Sequence, residues 1–217
     1  SVSNGEFNHE QLERRVSTVP LLGDIVDHWQ RRANNRRTIA FAVSRQHADS
    51  IVDRFNAVGI AAEQVNGNLG RTAREQALQR LTDGATRVLV SVDLLGEGID
   101  IPAVKCVIMA RPTASLVVSN QQSGRCMRPW SEDGEDSTAL ILDHAGNIIR
   151  HGYPHADREW TLDGMRARAS GGKRQQKALR TCESCHAVVP SGVACAACAK
   201  AAPATGDVET EASTPLF

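Results

Sequence analysis

Four short apolar runs, each separated from the next by other sequence, constrain this chain more than any other feature. They are TIAFAV (38–43), RVLVSV (87–92), VKCVIM (104–109) and TALILD (138–143), with AAEQV (61–65) as a shorter fifth. Runs of this length without polar alternation suit strands buried on both faces. Helical patterns precede and separate the first three. PLLGDIVDHWQRRA sets Leu21, Leu22, Ile25, Val26 and Trp29 at helical spacing, and a second stretch puts Ala48, Ile51, Val52 and Phe55 on one face before Gly59. Thr72 and Glu75 have the spacing of a capping box, opening a third helix that stops near Gly84. Strands alternating with helices in this way predict an α/β fold, a parallel sheet with helices on both faces.

Charge divides the chain. The 25 basic and 25 acidic residues cancel, but residues 1–163 hold 18 and 21 of them, residues 164–200 hold 7 and 1, and residues 201–217 hold 0 and 3. The predicted organisation is an N-terminal extension (1–19), an α/β domain (20–163), a basic linker (164–180), a small metal-binding ribbon (181–200) and a disordered acidic tail (201–217). The longest apolar runs are strand-length, which excludes a membrane-spanning helix. No signal peptide pattern opens the chain, and its start at Ser1 points to a processed chain or a fragment.

Two motifs carry chemistry within the α/β domain. In NQQSGRCMRP, Arg125 and Arg128 stand three apart on an expected helix, with no carboxylate between them. Guanidinium forks placed together suit a phosphate; the other reading is a solvated helix face. The strand RVLVSV runs into DLLGEGIDIP, where Gly96 and Gly98 permit close backbone approach and Asp100 offers a carboxylate to ribose hydroxyls. A plain turn is the alternative there.

In order and spacing these motifs resemble the second RecA-like lobe of superfamily 2 helicases and translocases of the DEAD/DEAH-box kind. TIAFAVSRQHA is similar to motif IV, VLVSVDLLGEGIDIP to motif V and QQSGRCMRP to motif VI, over roughly residues 20–160. The resemblance implies that Gly98, Asp100 and Gln121 face the nucleotide and that Arg125 and Arg128 are arginine fingers on its terminal phosphates. It also implies that Ser44, Arg45, Gly67, Asn68 and Ser91 touch a nucleic-acid backbone; Ser44 is equally suited to cap the following helix. LDHAGN (142–147) and RHG (150–152) resemble the end of the lobe in phage and bacterial restriction-type relatives, which implies DNA. His144 and His151 are read as structural.

The chain departs from the family pattern in one respect. It contains no Gly-x-x-x-x-Gly-Lys-Ser/Thr and no Asp-Glu-x-His or Asp-Glu-Ala-Asp box; SGGKRQ (170–175) lacks the spacing, the hydroxyl residue and a preceding strand. ATP with Mg2+ is therefore expected to be shared with a Walker-bearing lobe from the same gene product or a second polypeptide. The expected function is the C-terminal half of an ATP-dependent helicase or translocase, inactive alone. The competing class is a non-hydrolysing nucleic-acid-binding or regulatory module. The expected setting is cytoplasmic, in a bacterial or phage-infected cell, or otherwise intracellular.

CESCHAVVPSGVACAAC has the spacing C-x2-C-x9-C-x2-C through Cys182, Cys185, Cys195 and Cys198. Two such knuckles predict one tetrahedral zinc, with two disulfides as the alternative and His186 as a possible substitute ligand. Cys106 and Cys126 read as buried thiols. The basic excess around the ribbon suits a polyanion, with protein docking as the rival.

Overall fold

The computed structural model describes residues 2–3, 6–7, 19–92, 101, 103–128, 138–158 and 178–199. Two compact units divide at Asn147 and Ile148. A two-residue antiparallel pair, β1 (Val2–Ser3) and β2 (Glu6–Phe7), opens the first unit. There follow α1 (Val19–Arg32), β3 (Thr38–Phe41), α2 (Arg45–Ala57), β4 (Ala62–Val65), α3 (Arg71–Asp83), β5 (Val88–Ser91), β6 (Cys106–Met109), α4 (Leu116–Gly124) and β7 (Leu140–Asp143). α5 (Asn147–His151) straddles the division.

β3 to β7 form one fully parallel sheet in the order β4-β5-β3-β6-β7. The strand that comes first in the chain sits at the centre, and later strands add on either side. Because successive side chains on a strand face opposite ways, each run feeds two cores. On one face, Ala40, Ala42, Val88, Val90 and Ile108 pack with Ile25 and Trp29 of α1 and with Ile51 and Phe55 of α2. On the other, Ile39, Phe41, Leu89, Val107 and Met109 pack with Ala77 and Leu81 of α3. Three layers result, which is why the runs show no polar alternation.

The α1–α2 core is closed by an edge-to-face contact between Trp29 and Phe55, ring centroids 5.5 Å apart. Trp29 keeps its indole N–H satisfied by donating to Thr38 Oγ1 at 2.7 Å. Phe55→Ala is expected to cost about 3–5 kcal/mol, read as a lower midpoint in urea unfolding of the full chain. A loss below about 1 kcal/mol would show that this core is loosely packed.

Two local readings are corrected. Thr72 is not an N-cap: α3 begins at Arg71 after Gly70, and no side chain caps it. Glu75 instead receives Arg71 Nε at 2.8 Å one turn away. At its other end α3 stops as expected, with Gly84 left-handed at φ +80°. The second correction concerns α4. It ends at Gly124, so Arg125 is its C-cap and Arg128 lies beyond it.

In the second unit, β8 (Leu179–Thr181) pairs antiparallel with β9 (Val188–Pro190). Tyr153 also belongs to this unit and donates its hydroxyl to Val188 O at 2.8 Å.

Candidate functional site

The carboxyl ends of β4, β5 and β3 lie side by side, and most of the expected nucleic-acid residues gather there. Ser44 follows β3 and caps α2, its Oγ accepting from His47 N at 3.1 Å. The capping reading of Ser44 is the one observed, and a capped helix N-terminus presents backbone N–H groups and positive potential of the kind that suits an anion. Arg45 is exposed at the first turn, and its carbonyl accepts from Gln64 Nε2 at 2.9 Å. Gln64 also reaches Asp49 Oδ1 at 2.8 Å, tying β4 to the start of α2. After β4, Asn66 Oδ1 accepts from Asn68 N at 3.0 Å, forming the turn that holds Gly67. The Cβ direction of Gly67 meets nothing within 4 Å, so that side of the turn is open to a ligand. Ser91 differs. It ends β5 in register with Phe41 and Val65 and is 1 % exposed.

The arginine segment sits at the other end of the sheet. Lys105, immediately before β6, donates its ammonium to Arg128 O at 2.7 Å. Successive i→i−3 bonds, from Arg125 N to Gln122 O, Cys126 N to Ser123 O and Met127 N to Gly124 O, tighten the chain after α4 into 3₁₀-type turns. Arg125 is half-buried and Arg128 exposed. Between them Cys126 is 1 % exposed and packs against Ile39, Val104 and Val107. Burial pushes its thiol up to about 12, which makes it a neutral anchor and not a nucleophile. Cys106 is likewise pushed up to about 12 by burial. Of the glutamine pair, Gln121 is half-buried and Gln122 is the one that enters the core. Gly98 and Asp100 lie outside the described residues, as do 164–177 and 201–217.

Sequence reasoning missed three supports: Lys105, Gln64 and Asn147. Asn147 Oδ1 accepts from Thr113 N at 3.0 Å and its amide donates to Arg111 O at 2.9 Å, fastening the segment after β6. A buried Asn inside LDHAGN was the available signal. His144 lies 5.1 Å from His28, ring centroid to centroid, in a tilted pair.

In the second unit the four ribbon sulfurs converge, all within 4.8 Å of one another. Cys182 and Cys198 sulfurs are 3.7 Å apart and those of Cys185 and Cys195 are 3.5 Å apart. A tetrahedron with metal–sulfur bonds of about 2.3 Å has edges of about 3.8 Å, so the donor set fits zinc. A disulfide needs about 2.05 Å, and all six cysteines are free thiols. The knuckles repeat one backbone device, a left-handed residue directly after the second cysteine: His186 at φ +58° and Ala199 at φ +53°. The Cys185 and Ser184 amides donate to Cys182, bringing its thiol down to about 6. Burial opposes ionisation of Cys195, but the Cys185 thiol and the amides of Cys198 and Ala197 outweigh it and lower its pKa. Backbone N–H groups aimed at sulfur stabilise thiolates, the form that ligates metal.

Residues 18–129 match the family described as Helicase conserved C-terminal domain. A "51.5 kDa protein" of Lactococcus phage (isolate 7-9) is 29 % identical over 189 residues, 87 % of this chain and 41 % of that protein. The putative ATP-dependent helicase IRC3 of Saccharomyces cerevisiae is 29 % identical over 101 residues, 46 % of this chain and 15 % of its own. Among solved structures, the E. coli DEAD-box protein SrmB, crystallised with regulator of ribonuclease activity A, is similar over 68 % of this chain and 81 % of that one. Its identity is 23 % and its TM-score 0.49. This chain thus spans less than half the length of these two curated relatives.

Proposed function

The chain belongs to the helicase C-terminal domain family, found in ATP-dependent helicases, and on that premise we propose that it is the finger-bearing half of a two-lobe nucleic-acid motor. A lobe carrying the Walker motifs would hold ATP and magnesium, and this chain would close over the terminal phosphates. Its roles are divided between the two ends of the sheet. Arg125 and Arg128 would neutralise charge on the transferring phosphoryl group, as cationic fingers do in phosphoryl transfer. Gly98, Asp100 and Gln121 would meet the nucleoside. Ser44, Arg45, Gly67 and Asn68 would follow the backbone of the strand at the carboxyl end, with Ser91 supporting them from beneath. DNA is proposed as that strand, on the resemblance of LDHAGN and RHG to restriction-type relatives. The domain boundaries at 20–163 and 181–200 are proposed with it, and the four cysteines would hold one structural zinc.

The observation that carries this reading is the anchoring of the arginine segment. Lys105 fixes the carbonyl of Arg128, and buried Gln122, Ser123 and Cys126 fix the turns beside it. A solvated helix face has no use for such support, whereas a finger loses most of its effect when its position drifts.

This division of labour makes a first test simple. The purified chain is expected to release no phosphate from ATP, with or without oligonucleotide, because nothing in its sequence cradles the β- and γ-phosphates. Adding a Walker-bearing partner lobe should restore stimulated hydrolysis. Phosphate release by the chain alone would overturn the proposal that half the site lies elsewhere.

A further inference from the structure

At the amino end of the sheet, the end that also holds the Arg125–Arg128 segment, a second pair of arginines meets. Arg37 and Arg87 each stand one residue before a strand, β3 and β5, and these strands are neighbours in register. Thr38 N donates to Arg87 O at 2.9 Å and Lys105 N donates to Arg37 O at 3.1 Å, so the row is set by the sheet itself. Both guanidinium groups border Gly84: a methyl group there would lie 3.5 Å from Arg87 Nη1 and 3.6 Å from Arg37 Nη2. Both residues are half-buried, and Arg37 Nε is buried with no hydrogen-bond partner among the described residues.

Three other arginines of this unit have acids. Arg31 pairs with Asp27, Arg71 with Glu75 and Arg80 with Glu63. Among the described residues no carboxylate pairs with Arg37 or Arg87. Asp83, next to Gly84, accepts from Gln79 Nε2 at 2.8 Å, and Glu63 is held by Arg80 and Thr86. Two like charges brought toward one point repel, and an anion held between them would relieve that repulsion. Planar forks suit an oxyanion that takes paired bonds, and Gly84, held left-handed at φ +80°, leaves the space beside both forks free of a side chain.

We propose that Arg37 and Arg87, flanking Gly84, form a clamp for a phosphodiester of nucleic acid, separate from the contacts at the carboxyl ends of the strands. A polymer is favoured over free phosphate because the surface continues. Arg32, exposed, and Arg36, half-buried, fall within five residues of Arg37, with successive left-handed residues at Asn34 (φ +46°) and Asn35 (φ +57°) between them. A single phosphate has no need of such a run, whereas a backbone presents one charge after another.

This site rests on the nucleic-acid reading above, and binding of an oligothymidylate to the full chain between about 50 and 200 mM salt separates the two. Relative to wild type, R37Q/R87Q is expected to bind about 10-fold more weakly at the low-salt end. The slope of log K against log salt should fall by about 0.7 to 1.4, the loss of one to two phosphate contacts on a single strand. R37K/R87K should keep the slope but not the affinity, because lysine carries the charge without the fork. Arg87→Gln alone, which leaves the more enclosed Arg37 in place, should give about half the slope change of the double variant. Unchanged affinity and slope in R37Q/R87Q would overturn the clamp. So would a variant that loses stabilisation by inorganic phosphate in thermal melts yet binds the oligonucleotide normally, since that marks a free-anion site. Wild-type chain that binds no oligonucleotide would sink both this site and the reading beneath it.

Discussion

Arg125→Ala or Arg128→Ala in the assembled two-lobe ATPase should lower turnover by about 10³-fold or more while changing ATP affinity little. In the ground state the terminal phosphate would already be neutralised by the magnesium and Walker lysine that a partner lobe would supply. Charge redistributes over the equatorial and bridging oxygens only as the phosphoryl group moves, and a finger placed for that moment contributes to kcat more than to binding. The anchoring described above is what makes such placement credible here. Cys126 sits in the core between the arginines, and Lys105 holds the carbonyl of Arg128. Single-turnover hydrolysis beside equilibrium nucleotide binding separates the two effects. Variants with intact turnover would return these arginines to an ordinary helix end, where cations also favour the local dipole.

The second large effect concerns the ribbon. Replacing Cys182 and Cys185 by serine should abolish the binding of about one equivalent of zinc and unfold residues 178–199, leaving the parallel sheet intact. Apart from four cysteines and one buried valine, Val189, little in this segment is apolar enough to pack, so its hydrophobic core is minimal. Structural zinc in comparable small sites is worth about 10–16 kcal/mol of folding free energy, far more than such a core supplies. Amide exchange at β8 and β9, with zinc measured by atomic absorption, would report both losses. Strand protection that survives a chelator would show that the ribbon stands without metal. Deleting residues 164–217 from the complete motor is expected to weaken nucleic-acid binding and flatten its salt dependence, because residues 164–200 carry an excess of six positive charges. An unchanged slope would make the ribbon a protein-docking element.

Spacing along the chain was enough for the parallel α/β class, because burial on both faces demands runs like TIAFAV and VKCVIM wherever they occur. The cysteine quartet was legible for the same reason: tetrahedral ligation imposes a local spacing that survives without any knowledge of the fold. Local codes also misled where the backbone had an alternative. Thr72 had the right partner three residues on, yet the helix began one residue earlier, and the end of α4 tightened into 3₁₀ turns that no propensity specified. What the tertiary structure alone decided is which distant residues meet. Strand order put β5 beside β3, so Arg37 and Arg87 share Gly84 although fifty positions separate them. It put Lys105 under Arg128, sent Gln122 inward instead of Gln121 and buried Ser91 between Phe41 and Val65. Periodicity records whether a residue faces a core, but its neighbours there depend on how each crossover passes over the sheet and on the register in which the strands pair.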